Sequence, residues 1–117
     1  MLTPVTTDKD VTRRRKVLEI AVTPSGVYTP GGDTLDFTTT TNPKFFSNGK
    51  VAAMPKSYNV LNCPAGYTAE LIAGTTLKNW KLKVFSAAGQ ELGAAAYPAA
   101  LLADPIKIRL SGPMGAF

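Results

Sequence analysis

Histidine is absent from the 117 residues, and cysteine occurs once, as Cys63. Without histidine, no Ser–His or Cys–His nucleophile pair can be assembled within one chain, nor an imidazole-ligated metal centre. A single cysteine excludes an internal disulfide framework. Acids are few, five Asp and three Glu, and they are scattered. Charged residues make up 18% of the chain, below the globular average, which excludes a disordered chain held open by its charge. Long apolar runs are also lacking. The longest, Ala94 to Ala103, is interrupted by Pro98 and falls far short of the roughly 20 residues a bilayer requires. The opening Met1-Leu2-Thr3-Pro4-Val5-Thr6-Thr7-Asp8 has neither the basic start nor the apolar stretch of a signal peptide. The expectation is a chain made and kept in a cytosol, or released by lysis.

What is present suits a single domain. An apolar fraction of 44% over this length can bury one core but not two. Thirteen basic against eight acidic residues give a net charge of +5. Such a balance favours an acidic partner, whether nucleic acid, anionic membrane or protein surface, without choosing among them.

Residues 1–12 carry no periodicity, and Pro4, the threonines and Asp8-Lys9-Asp10 read as an extended N-terminal arm. From Leu18 the pattern is period two: Leu18, Ile20 and Val22 alternate with Glu19, Ala21 and Thr23, as in a half-buried strand. Tyr28-Thr29-Pro30-Gly31-Gly32-Asp33 is turn chemistry. Thr34 to Thr41 reads as a short β-branched strand ended by Asn42-Pro43. Asn48-Gly49 is a hairpin signal. Tyr58 to Cys63 and Tyr67 to Ala73 read as strands, separated by Pro64-Ala65-Gly66. Trp80, Leu82 and Val84 alternate with Lys81, Lys83 and Phe85. Pro98 forbids a continuous helix across the Ala-rich 91–97, and residues 99–103 can form one helical turn. Ile106, Ile108 and Leu110 alternate with Lys107, Arg109 and Ser111. Six or seven short strands at turn spacings of about 8–12 residues predict an all-β fold, a small antiparallel sandwich or a barrel. The domain plan is an arm over 1–12, a β-sandwich domain over 13–112 and a C-terminal tail over 113–117. The expected core is Leu18, Ile20, Val22, Leu35, Phe37, Val60, Trp80, Leu82, Val84, Ile106 and Ile108.

Few motifs carry chemistry. The run Arg13-Arg14-Arg15-Lys16 is a surface for phosphates or an acidic protein, or else the solvated start of a strand. Because it leads directly into the Leu18 strand, half of its side chains must face the side that Leu18 buries. Lys78, Lys81 and Lys83 surround Trp80 as in a nucleic-acid platform. In a strand, however, Trp80 points away from Lys81 and Lys83, so a core tryptophan beneath a solvated lysine face is the better reading. Pro30-Gly31-Gly32-Asp33 lacks the Gly-Lys-Ser/Thr of a phosphate loop. Asp33 and Asp36 have no third ligand nearby and read as caps of local amides. Cys63 reads as a buried, inert thiol. Met114 and Phe117 are large apolar groups on a Gly/Pro tail, either frayed or buried against another subunit.

Gly26-Val27-Tyr28-Thr29-Pro30-Gly31-Gly32-Asp33-Thr34-Leu35-Asp36-Phe37, Pro64-Ala65-Gly66-Tyr67, Lys81-Leu82-Lys83-Val84-Phe85 and Gly93-Ala94-Ala95-Ala96-Tyr97-Pro98-Ala99-Ala100-Leu101 follow one another in this order. Together they resemble the capsid cement, or head decoration, proteins of tailed bacteriophages and cyanophages, over roughly residues 17–112. The resemblance implies an antiparallel β-sandwich of jelly-roll type on the outer surface of an icosahedral shell. It implies the major capsid protein as partner and self-association as dimers or trimers. It carries no catalytic residues, cofactor, small-molecule substrate, specific nucleic acid or membrane. Arg13, Arg14, Arg15, Lys16, Met114 and Phe117 are the expected contacts to capsid or neighbouring subunit. Two other readings remain: another phage structural module, such as a tail or fibre-attachment domain, and a small nucleic-acid-binding β-barrel.

Overall fold

A computed structural model describes residues 1–11, 15–41, 51, 53–64 and 66–112. Seven strands are found among them: β1 (Leu2–Val11), β2 (Lys16–Pro24), β3 (Asp33–Leu35), β4 (Ser57–Asn62), β5 (Tyr67–Ile72), β6 (Trp80–Ser86) and β7 (Ile106–Gly112). They form two antiparallel sheets, one ordered β1-β2-β7-β4 and the other β3-β6-β5. The only α-helix among the described residues, α1, is the single turn Ala99–Ala103. The fold is all-β, as the period-two pattern predicts.

One core lies between the two sets of inward side chains. Leu18, Ile20 and Val22 of β2 lie opposite Leu110, Ile108 and Ile106 of β7. All six are fully buried. From the second sheet come Leu35, Trp80, Leu82 and Val84, all equally buried, and α1 adds Leu101. Every expected core residue is buried except Val60, which lies half-buried against the cluster. Trp80 meets two aromatic rings. Phe37 packs edge-on at 5.3 Å, and Tyr58 of β4 does so at 4.9 Å. The Trp80 indole N–H finds no acceptor among the described residues.

Two expectations are corrected. The first is the arm. Residues 2–11 are β1, paired with β2 from Leu2↔Pro24 to Val11↔Lys16. Leu2, Pro4 and Thr6 alternate inward and are buried. A bulge at Thr7 then shifts the register, so the period of two breaks mid-strand and no pattern survives in the sequence. Pro4 is tolerated because it lies on an edge. Its carbonyl accepts from Thr41 N–H on the side away from β2, so its missing N–H takes nothing from the ladder.

The second correction is the strand expected over 34–41. It ends at Leu35, and a 3-10 turn follows at Phe37–Thr39. The Asp36 carboxylate accepts from Thr38 N–H at 2.9 Å and from Thr38 Oγ1 at 2.5 Å. Thr39 and Thr40 hydroxyls donate back to the Asp36 and Phe37 carbonyls, both at 2.7 Å. Side-chain oxygens thus outcompete the ladder in a threonine-rich run whose composition favours strand.

The chain should give a β-type circular dichroism spectrum with little helix. Trp80→Ala should destabilise it by about 3–5 kcal/mol in a denaturant titration. A loss below about 0.5 kcal/mol would mean that the indole is not a core group.

Candidate functional site

Two members of the basic run are described, Arg15 and Lys16. Arg13 and Arg14 lie outside the described residues, as do Met114 and Phe117 of the tail. Arg15 is exposed, whereas Lys16 is fully buried. Lys16 shares the inward face of β2 with Leu18, so it does not stand beside Arg15 on one docking surface. This follows from the alternation of the strand. The bulge at Thr7 also turns Lys9 inward, opposite Leu18. Burial, and then the nearby Lys9 charge, hold the Lys16 ammonium below the ordinary lysine value. The sequence reading placed half of the run on the buried side. It did not place Lys9 there, because the bulge leaves no sequence signal.

Beside the run, the four-stranded sheet carries an open groove of about 330 Å³ lined by Asp8, Lys9, Asp10, Val17, Glu19 and Arg109. Asp8 lies opposite Glu19, and Glu19 opposite Arg109. Arg109 donates to the Glu19 carboxylate at 3.3 Å. Both side chains are partly solvated, so the pair contributes little to stability. Among the described residues no group of three or more His, Cys, Asp or Glu side chains could hold a metal ion.

A second polar cluster lies at the turn beside β3. Asp33 precedes Leu35 by two and so faces inward, where an unpaired carboxylate would be costly. It accepts from the Tyr97 hydroxyl at 2.7 Å, from Thr34 N–H at 3.0 Å and from the Met1 amino group at 3.1 Å. Its role therefore exceeds the local capping expected of it, while Asp36 does cap locally. Tyr28 donates to Glu91 at 2.6 Å and accepts from Val84 N–H at 3.3 Å. The same Glu91 oxygen accepts from Gly31 N–H at 2.6 Å. The Tyr28 and Tyr97 rings meet edge-on at 5.8 Å. Their backbones are tied as well: Tyr28 N–H donates to Ala95 O, and Tyr97 N–H to Gly26 O. The segments 26–37 and 93–101 are thus joined into one unit.

Burial and the Glu91 hydrogen bond push the Tyr28 phenol up to about 12. Burial and Asp33 raise that of Tyr97 further. The Tyr28 hydroxyl and Gly31 N–H hold Glu91 below its ordinary value. Phenols kept neutral in this way are hydrogen-bond donors, not bases, and the cluster clamps two turns together. No sequence pattern pointed to Tyr28, Tyr97 or Glu91. The nearest signal is a tyrosine embedded in each of two Gly/Pro segments, where a ring must find cover from elsewhere in the chain.

The remaining candidates are simpler. Trp80 is buried and Lys81 exposed, so the faces of β6 fall as expected. On the outer face the Lys83 ammonium lies 5.9 Å from the centre of the Phe85 ring. Cys63 is half-buried, and burial and then the Asp104 charge push its thiol up, away from the reactive thiolate. No known protein family, curated protein or solved structure matches the chain.

The tyrosine clamp gives an alkaline signature. The Tyr28 phenol ionises near 10 when unfolded and at about 12 when folded. Stability from this group is therefore complete below about pH 10 and is lost as pH rises towards 12. Absorbance titration at alkaline pH should show two of the four tyrosines ionising late, together with unfolding. Tyr28→Phe should remove one of them and cost about 1–3 kcal/mol at neutral pH, because Val84 N–H is left buried without its acceptor.

Proposed function

We propose that this protein is a capsid cement protein of a tailed phage, a non-enzymatic domain bound to the outer surface of an icosahedral shell. The observation that carries the reading is the strand order. Successive strands cross between the sheets, β2 to β3, β3 to β4, β4 to β5 and β6 to β7, and the neighbours are β2-β7-β4 and β3-β6-β5. This pattern supports a sandwich of jelly-roll type, an architecture used by viral capsid domains. It agrees with the resemblance carried by residues 17–112. The partner in this reading is the major capsid protein, and copies associate as dimers or trimers.

The mechanism is mechanical. Each copy bridges neighbouring capsomers and adds contact area, where a standard protein interface buries about 1,600 Å² in total. Weak contacts repeated over a shell together oppose the outward pressure of packaged DNA. Arg15, exposed where the chain passes from β1 to β2, stands with Arg13 and Arg14 in the sequence as the cationic element that meets an acidic patch.

The protein should co-sediment with empty shells of its parent virus, and a difference map should place it on their outer surface. Failure to bind any shell would overturn the reading. Arg13→Ala, Arg14→Ala and Arg15→Ala should each be tested for occupancy at two salt concentrations. Desolvated Arg–carboxylate pairs give losses of about 2–5 kcal/mol at particular positions, while diffuse steering gives small, uniform losses erased by salt. No loss at any position removes the anchoring role. A nucleic-acid binder would instead bind any DNA or RNA, with affinity falling steeply as salt rises.

A further inference from the structure

The two edges of the four-stranded sheet are built differently. At one edge, β1 carries Asp8, Lys9, Asp10 and Pro4 and is bulged at Thr7. Thr41 lies along its outer side: Thr6 N–H donates to Thr41 O at 2.8 Å, and Thr41 N–H to Pro4 O at 3.1 Å. Charge, proline, a bulge and a covering segment are the means by which sheet edges avoid pairing with other chains. The core is closed there, with Leu2 at 5% and Thr6 at 1% exposure.

At the other edge, β4 has none of the first two. It reads Ser-Tyr-Asn-Val-Leu-Asn, without charge or proline. Its register slips only near its end, between Val60 and Asn62. It pairs with β7 alone, and no described segment lies hydrogen-bonded along its outer side. The core is open there. Tyr58 is 41% exposed although its ring rests on Trp80, and Leu61 is 37% exposed. Val60 is half-buried, and Met54, just before the strand, is also exposed.

We infer that β4 is the surface through which two copies of this chain join, each β4 pairing antiparallel with the other across a two-fold axis. A second copy is the occupant that the chemistry favours. A neutral strand lies antiparallel to itself without setting like charges opposite one another. Tyr58 and Val60 alternate with Ser57, Asn59 and Leu61, and a two-fold axis normal to the sheet keeps inward residues on the inward side in both copies. The contact is isologous and closes on itself. A charged partner strand would find no countercharge on β4. The four-stranded sheet becomes a continuous eight-stranded one, and the partner's strand covers the Tyr58–Val60 rim. The inference rests on the self-association in the proposed function, not on attachment to a shell, and it places that association away from the 113–117 tail.

Sedimentation of the full chain from about 1 to 200 µM should show a reversible monomer–dimer equilibrium. It should be nearly unchanged between low and high salt, since no ion pair holds it. Leu61→Lys and Asn59→Lys each place like charges near the axis and should weaken dimerisation at least tenfold, with circular dichroism unchanged. Two variants are used so that one misfolded protein does not decide the matter. Amide exchange at 57–61 should slow as concentration rises, while that of β1 should not. A monomer throughout this range, a trimer, or a dimer indifferent to both lysines would overturn the inference. Shell co-sedimentation is read in parallel. Shell binding without the dimer refutes this contact and leaves the cement reading, whereas the dimer without shell binding does the reverse.

Discussion

The structure depends on a single indole. Trp80 begins β6, lies opposite Leu35 of β3, and meets the Phe37 and Tyr58 rings in edge-type contacts. Tyr58 belongs to the other sheet, so this ring spans the layer between them. A domain of this size has one core and little redundancy. Aromatic burial of about 150–250 Å² per side chain is a large share of what it can gather. The 3-10 turn after β3 and the placement of β4 both bring rings to this one site. The indole N–H finds no acceptor among the described residues, so at this site apolar packing outweighs a hydrogen bond.

Much of this was legible in the sequence, because strand faces repeat at period two. Leu18-Ile20-Val22, Trp80-Leu82-Val84 and Ile106-Ile108-Leu110 each face inward as their spacing requires. The failures share a cause. At 1–12 and at 36–40 local side-chain chemistry or a single extra residue breaks the period, and pattern reading has no purchase on either. Thr7 occupies one position too many. Asp36 offers its carboxylate to the backbone two residues on. The Tyr28–Glu91 and Tyr97–Asp33 bonds were equally hidden, since each joins residues more than 60 apart in the chain. Long-range hydrogen bonds between turns leave no periodic trace.

The charges illustrate how little a run of cations says by itself. Arg13 to Lys16 is one block in sequence, yet Arg15 is solvated while Lys16 is sealed beneath the sheet. The two described members of the block thus differ in environment, one at the surface and one in the interior. Lys16 carries a desolvation cost there, and Lys9 adds to it. The outward row Asp8–Glu19–Arg109 mixes signs, so the net charge of +5 is not spread evenly over this face. Any acidic partner must meet the molecule in a limited set of orientations.

The bulge at Thr7 also governs how the gene can vary. Residues 2–6 and 8–11 are out of phase, and the single unpaired position between them absorbs the mismatch. Deleting Thr7 would restore a regular ladder and leave every side chain on its present face, at the loss of the Thr7 hydroxyl bond to Glu19 O. A deletion at Thr3 or Lys9 would instead carry the residues between it and the nearest chain end or turn across the sheet, burying what is now wet. Among close relatives of this chain, length changes in the first strand would therefore collect at one codon.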